Sequence, residues 1–416
     1  MGKFRLTADE KAWILYDVGN SAFILLASTI LPIYYNALAE SAGISSVDYL
    51  ASWGYAVSAA TLIGAAAGMV LGGISDQKGY KKRLFAVCVA VGAAACAALG
   101  LAATWQWFLG IFVAARVAYS DSLVCYDAML PDITPEERLD RVSSQGYAWG
   151  YIGSCIPFAV CLFLCLGYET LGLSLGTAMM IAFLITALWW AGAAVPLFRR
   201  YRQVHYAEAG GHPVRDSFRR LGRTFSQVKG QKHIFLFLLA FFFFIDGVYT
   251  IIDMATAYGT ALGLDTPGLL AALLVTQVVA FPCSILFGRL AGRFSAKRLI
   301  EICILAYLGI AVYGIFLQNQ LQFYILAVCV GIFQGGIQSL SRSYYASLIP
   351  AEQAGEYFGL FDICGKGASF MGTFLVGAVS QATGSMNLGV GALAVIFGAG
   401  FVLLRALPAA REMHNI

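Results

Sequence analysis

The chain has 416 residues, 59% hydrophobic and only 12% charged, with a formal net charge of +4 at pH 7. Soluble domains carry about 25% charged residues, so a water-soluble globule is excluded, and with it any domain count taken from length. What remains is a polytopic helical membrane protein, whose 45 glycines suit helices that approach on small faces.

The opening Met-Gly-Lys-Phe-Arg-Leu leads into an apolar run with no small-residue cleavage site, so the first helix is read as retained. Leu6 stands where a myristoylation signal needs Ser or Thr. Apolar runs of about 20 residues predict twelve helices, over 12–38, 50–74, 84–103, 106–130, 142–166 and 173–198, then 233–262, 267–290, 298–317, 322–349, 357–381 and 387–407. This predicts an all-α fold of two six-helix bundles, 1–198 and 233–416, joined by a basic linker over 199–232.

Lys and Arg fall on alternate connections. They occupy the N-terminus (Lys3, Arg5, Lys11), the 2–3 loop (Lys78, Lys81, Lys82, Arg83), the 4–5 loop (Arg138, Arg141), the linker, the 8–9 loop (Arg289, Arg293, Lys297, Arg298) and the C-terminal end. The other connections carry none, which predicts that both termini are cytoplasmic. In the linker, Val214, Phe218, Leu221, Phe225 and Val228 recur at helical spacing among arginines, an amphipathic pattern suited to an anionic membrane surface or, failing that, a solvated tether.

The halves echo each other. Gly72-x-x-x-Asp76-x-x-Gly79-x-Lys81-Lys82 recurs as Gly288-x-x-x-Gly292-x-x-Ser295-x-Lys297-Arg298, and Tyr126-x-x-x-Leu130-Pro131 as Tyr345-x-x-x-Ile349-Pro350. A parallel repeat of six helices is a transporter plan, with the solute site near midplane.

The 2–3 loop resembles the Gly-x-x-x-Asp-x-x-Gly signature of the major facilitator superfamily, with Tyr80 where the family usually has Arg. The resemblance implies a gating role for Gly72, Asp76, Gly79, Lys81 and Lys82, as a latch between helices 2 and 3 and helix 11. Within that superfamily the chain is similar to the vacuole-effluxer branch, whose fungal members release amino acids from vacuoles. The similarity rests on Tyr16-Asp17-x-x-Asn20-Ser21, Tyr126-Asp127-Ala128-x-Leu130-Pro131-Asp132, Asp246-Gly247-Val248, Gln338-Ser339-Leu340-Ser341-Arg342-Ser343 and Glu356-Tyr357-Phe358-Gly359-Leu360 leading to Lys366.

Charges inside membrane spans are costly and mark function. Here they fall on helices 1 (Asp17), 4 (Arg116, Asp121, Asp127), 7 (Asp246, Asp253), 10 (Arg342) and 11 (Asp362, Lys366), while helices 3, 6, 9 and 12 have essentially none in their middles. Helices 1, 4, 7 and 10 surround the cavity in the facilitator fold. A rise of about 1.5 Å per residue puts Arg116 and Asp246 near midplane and Asp17, Asp127 and Arg342 toward the inner ends. Candidate solute or ion groups are Asp17, Asn20, Arg116, Asp246, Gln334, Gln338 and Lys366; Asp127, Arg342 and Asp362 are gating candidates. Asp246 and Lys366 are expected to pair across helices 7 and 11, unless Lys366 is satisfied by Asp362 at i, i+4. Asp121 is a packing or gating candidate.

Nucleotide-loop, metalloprotease and nucleophile-elbow motifs are missing, and the four histidines are in the linker region or near the C-terminus. No enzyme, cofactor, metal or nucleic-acid partner is expected, and the ten cysteines read as reduced and buried. The expected function is secondary active transport by alternating access, at the plasma membrane of a bacterium and as a monomer. The solute is a small polar molecule, an amino acid by resemblance, with a proton or sodium as coupling ion. A cation-coupled sugar symporter and a non-transporting membrane sensor are the alternatives.

Overall fold

A computed structural model of the chain describes residues 4–44, 46–207, 230–261 and 264–407. The amphipathic segment expected at 214–228 lies outside the described residues. Twelve long helical segments follow in order: α1 (Ala8–Ser41), α2 (Ser46–Ser75), α3 (Tyr80–Ala98), α4 (Trp105–Ala128), α5 (Leu139–Gly167), α6 (Leu175–Arg200), α7 (Lys232–Ala261), α8 (Thr266–Leu290), α9 (Ala296–Gly314), α10 (Gln320–Leu348), α11 (Ala354–Thr383) and α12 (Met386–Arg405, interrupted at Ala392). Eleven are long and apolar enough to cross a membrane. The exception, α9, opens with Lys297, Arg298 and Glu301 within its 19 residues. Among the described residues the only β-type pairing is the isolated bridge between Gln77 and Ala207.

Helix starts follow their capping residues. Thr7 and Glu10 form a reciprocal capping box at α1, and Ser174, Asp265, Ser295 and Asn319 each accept a first-turn N–H through the side chain. Pro32, Pro157, Pro196 and Pro282 lie within helices, which membrane helices tolerate when neighbours take up the freed backbone groups.

Contacts divide the chain into two compact units. Unit 1 comprises Met1–Ile133, Trp149–Phe218 and Glu352–Gly359; unit 2 comprises Thr134–Ala148, Arg219–Ala351 and Leu360–Ile416. The first residues of α5 and of α11 therefore each belong to the unit built mainly from the other half of the sequence. Within unit 1 the dense helix pairs are α1 with α6, α2 with α4, α3 with α4 and α3 with α6. Within unit 2 they are α7 with α12, α8 with α10, α9 with α10 and α9 with α12, the same set six helices later. The sequence echo is thus an echo of packing.

Burial follows the charge pattern. In the most apolar stretches of α1, α4, α7 and α10, 56%, 50%, 67% and 67% of residues are buried, against 28%, 39%, 44%, 22% and 39% in α2, α3, α6, α8 and α12. Four of the five helices that carry interior charges are thus withdrawn from the surface, with α5 (50%) beside them; α11, which carries Asp362 and Lys366, is the exception at 21%. Unit 1 is cored by aromatic contacts: Trp13 stacks on Tyr126 at 4.4 Å, and the Trp13 indole donates to the Tyr126 carbonyl at 3.0 Å. All ten cysteines are free thiols, six buried and four partly exposed.

Candidate functional site: interior polar groups and two helix-start junctions

In unit 1, the turn after α2 places Asp76 against the start of α11. Its Oδ1 accepts the Gly355 N–H at 2.7 Å and its Oδ2 accepts the Glu356 N–H at 2.9 Å. Free N–H groups at a helix start favour a carboxylate. The approach requires glycine on both sides, because a Cβ on Gly72 would collide with the Gly355 carbonyl and one on Gly355 would lie 2.8 Å from Asp76 Oδ1. Gly79, at φ +80°, turns the chain into α3.

Lys81 is fully buried beneath this turn. Its Nζ donates to the Ala128 carbonyl at 3.0 Å and lies 3.5 Å from Asp132 Oδ2 and 3.8 Å from Asp76 Oδ1. Burial pushes the Asp76 carboxyl up to about 7, outweighing Lys81 and the two backbone donors. The segment after α6 straps this cluster: Tyr201 donates to Asp132 Oδ2 at 2.5 Å, the His205 N–H to Asp132 Oδ1 at 2.8 Å, and the Gly79 N–H to Gln203 Oε1 at 2.8 Å. Burial and the Asp132 charge push the Tyr201 phenol well above its ordinary value. Lys82 does not join the cluster; it sits over the Phe198 ring at 4.9 Å.

Unit 2 clasps the start of α5 with Arg342. This guanidinium is 2% exposed, donates from Nε to Ser143 Oγ at 2.9 Å and from Nη2 to the Ser143 carbonyl at 3.0 Å, and covers the Tyr147 ring at 4.3 Å. Ser343 donates to Asp140 Oδ1 at 2.6 Å, and Ser143 donates to the Ser339 carbonyl at 2.8 Å. Gly288, the counterpart of Gly72, again marks the close approach, since a Cβ there would lie 2.6 Å from the Ser144 Cβ.

The interior candidates separate. Asp17 is buried, with Asn20 Nδ2 3.4 Å from its Oδ1 and 3.0 Å from the Tyr16 carbonyl. Tyr16 shares a 2.6 Å hydrogen bond with Ser122 and accepts one from the Trp190 indole at 3.2 Å, so it binds α1 to α4 and α6. Asp127 is half-buried at the end of α4, and Asp121 is buried on another face. Arg116 is half-buried, and no hydrogen bond or ion pair joins it to another described residue.

The expected pair of Asp246 and Lys366 is not formed. Lys366 bridges to Asp362, its i, i+4 neighbour on α11, where the helical pitch alone brings the two together. Asp246 is fully buried; its Oδ1 accepts the Gly372 N–H at 2.9 Å, while its Oδ2 has no hydrogen-bond partner among the described residues. A Cβ on Gly372 would press on Thr250 Oγ1 and lie 2.9 Å from Asp246 Oδ1, so glycine is needed there. Gln334 is buried with its Oε1 unpartnered among the described residues, and Gln338 is buried one turn on. Sequence alone does not point to the roles of Asp132, Tyr201, Gln203, His205 and Ser143. Among the described residues no cluster of three or more metal-ligating side chains occurs.

The family described as "Vacuole effluxer Atg22 like" matches residues 8–416. The chain belongs to this family. It is similar to YxiO of Bacillus subtilis (strain 168), an MFS-type transporter, with 41% identity over 409 residues, 97% of this chain and 96% of that one. It is also similar to autophagy-related protein 22-1 of Aspergillus niger, with 28% identity over 285 residues, 62% of this chain and 45% of that one; the chain therefore matches less than half of the fungal relative's length. The fold matches the human organic anion transporter MFSD10 (TETRAN) at a TM-score of 0.71 and 13% identity, over 95% of this chain and 98% of that one. The protein is a multi-pass membrane protein and an MFS-type transporter.

Proposed function

We propose that this chain is a secondary active transporter that moves a small polar solute by alternating access, coupled to protons. Family resemblance makes the solute an amino acid. The observation that carries the reading is on α7, where the buried Asp246 keeps its Oδ2 unpartnered among the described residues. A polar atom left so in the interior is costly. A proton on Oδ2 neutralises the carboxylate and removes that cost. Uptake and release of this proton would change what Asp246 offers to the Gly372 N–H of α11, linking protonation to helix position. Arg116, a guanidinium with no described partner, has the fork geometry that receives a solute carboxylate.

In this reading the junctions of Asp76 and Arg342 are conformational elements that close and open with the cycle. Asp362 and Lys366 are a gate pair, Asp127 lies at the inner gate, and Asp17 with Asn20 is a polar station on α1. Both termini are cytoplasmic, the membrane is the plasma membrane of a bacterium, and one chain suffices. A sugar symporter is the second reading, favoured by Gln334 with its free Oε1, since a carboxamide serves hydroxyl groups as readily as charged ones.

Uptake into proteoliposomes, with a panel of amino acids and sugars under an imposed pH or sodium gradient, tests the proposal. Amino-acid accumulation driven by the pH gradient is expected. Flux indifferent to that gradient removes proton coupling, sodium dependence replaces the ion, and sugar-only flux promotes the second reading. Asp246→Asn is expected to abolish accumulation while sparing exchange; normal accumulation in that variant would reduce Asp246 to a structural cap on α11.

A further inference from the structure

The outward face of α6 ends in a pocket rich in guanidinium groups. Leu184, Leu188, Val195 and Phe198 are all exposed, 48%, 64%, 42% and 44%, and recur at helical spacing as an apolar stripe. Arg199 lies one turn beyond Val195 on the same face, and Arg202 follows just after the helix ends. From Leu188 to Arg199 is 11 residues, a rise of about 16 Å, roughly one leaflet of a hydrocarbon core some 30 Å thick.

At the foot of the stripe is a pocket of about 510 Å³ lined by Asp9, Asp132, Ile133, Arg199, Arg200, Arg202 and Val204. Its charges are three guanidinium groups against two carboxylates. Asp132 is already matched by Lys81 at 3.5 Å, and Asp9 by Arg200 at 3.6 Å. That leaves Arg199 and Arg202, exposed and with no described hydrogen-bond or ion-pair partner, facing one pocket. Guanidinium groups bind phosphate oxygens in pairs, and a free anion would have no use for the apolar stripe that leads to them.

We propose that this face binds one anionic phospholipid, its acyl chain along Leu184, Leu188, Val195 and Phe198 and its headgroup phosphate between Arg199 and Arg202. The lipid then lies against Val204, in the strap that holds Asp132, and steadies that strap.

The test uses the full chain in nanodiscs of phosphatidylcholine with and without phosphatidylglycerol, read by native mass spectrometry of retained lipid and by thermal unfolding. The wild type is expected to retain one phosphatidylglycerol at least about ten-fold over phosphatidylcholine, and to melt higher when it is present. The double substitution Arg199→Gln with Arg202→Gln should bring that preference to within about two-fold, and Arg202→Gln alone, outside the helix, should give part of the loss. Leu188→Ser with Val195→Ser should weaken retention with the arginines intact. Three results overturn the proposal: preference unchanged in the arginine variants, equal loss on Arg289→Gln with Arg293→Gln at the basic connection between α8 and α9, or full stabilisation by inorganic phosphate in phosphatidylcholine alone.

Discussion

The start of α11 and the start of α5 are held in place by the same backbone plan and by opposite chemistry. In each case a glycine of an even-numbered helix, Gly72 or Gly288, allows the close approach, and a lysine of the following helix reaches the carbonyls at the end of another. Lys81 reaches Ala128 O at 3.0 Å, and Lys297 reaches Leu407 O at 2.5 Å. The clasp differs. Unit 1 uses Asp76, a buried carboxylate on two backbone N–H groups; its counterpart in unit 2 is Gly292, and there the work passes to Arg342 on α10. Where Asp76 would stand in unit 2, the Arg141 side chain occupies the space, 3.0 Å from a Cβ placed on Gly292. A repeat can keep its packing while moving the charge to another helix and reversing its sign.

Removing each clasp breaks the comparison most directly. Asp76→Ala leaves two helix-start N–H groups without their acceptor and takes from the buried Lys81 one of its two carboxylates, a loss on the order of 3 kcal/mol. Arg342→Ala strips Ser143 of two donors and uncovers Tyr147, with a loss of similar order. Thermal unfolding and initial uptake rate should fall together in both. If one variant transports normally, that junction is not part of the cycle and the two are alike only in form.

Close approach is the next lever. Gly72→Ala puts a methyl against the Gly355 carbonyl, backbone on backbone, where overpacking costs about 1–3 kcal/mol. Gly288→Ala meets the Ser144 Cβ at 2.6 Å, an atom that no side-chain rotation can move, so its cost should be of the same order in the same unfolding assay. A much smaller loss would show that the start of α5 can shift where the start of α11 cannot.

A pH titration separates the clasps by kind. Asp76 titrates near 7 when folded against an ordinary value of 3.8. Between these values the folded protein holds a proton that the unfolded chain has released, so the stability linked to this group falls as pH rises and levels off above about 7. The melting temperature of the wild type relative to Asp76→Asn is therefore expected to decline from pH 5 to 7 and flatten toward 8. Relative to Arg342→Gln it should show no such slope, because a guanidinium keeps its charge throughout. A flat profile for both would mean that Asp76 stays ionised across the range.

What the sequence made legible was whatever repeats at short range. Helix number, the buried character of α1, α4, α7 and α10, and the placing of Gly72, Asp76 and Gly79 at a tight turn all follow from run length, charge spacing and glycine. The i, i+4 pair of Asp362 and Lys366 was legible for the same reason, and it is what defeated the longer-range pair of Asp246 with Lys366. Contacts set by the tertiary path were not legible. Nothing local to Asp132 announces that Tyr201, His205 and Lys81 converge on it from 51 to 73 residues away. Nor does Ser143 announce a partner 199 residues on.

The strap gives the finest test of how far the two junctions differ, because only unit 1 has one described. Gln203 accepts from the Gly79 N–H at 2.8 Å and donates from Nε2 to the Ser75 carbonyl at 3.1 Å, bracketing the turn that carries Asp76. Both bonds are partly open to solvent, so water can replace much of what Gln203→Ala removes, and the stability loss should be about 1 kcal/mol or less. Its effect should appear instead in hydrogen exchange, as faster exchange of the Gly79 amide and of the Ala207 amide, which donates to the Asp76 carbonyl at 2.8 Å. Exchange unchanged at both amides would mean that the turn is held by Lys81 and α11 alone, and that the strap rides on the junction without helping to form it.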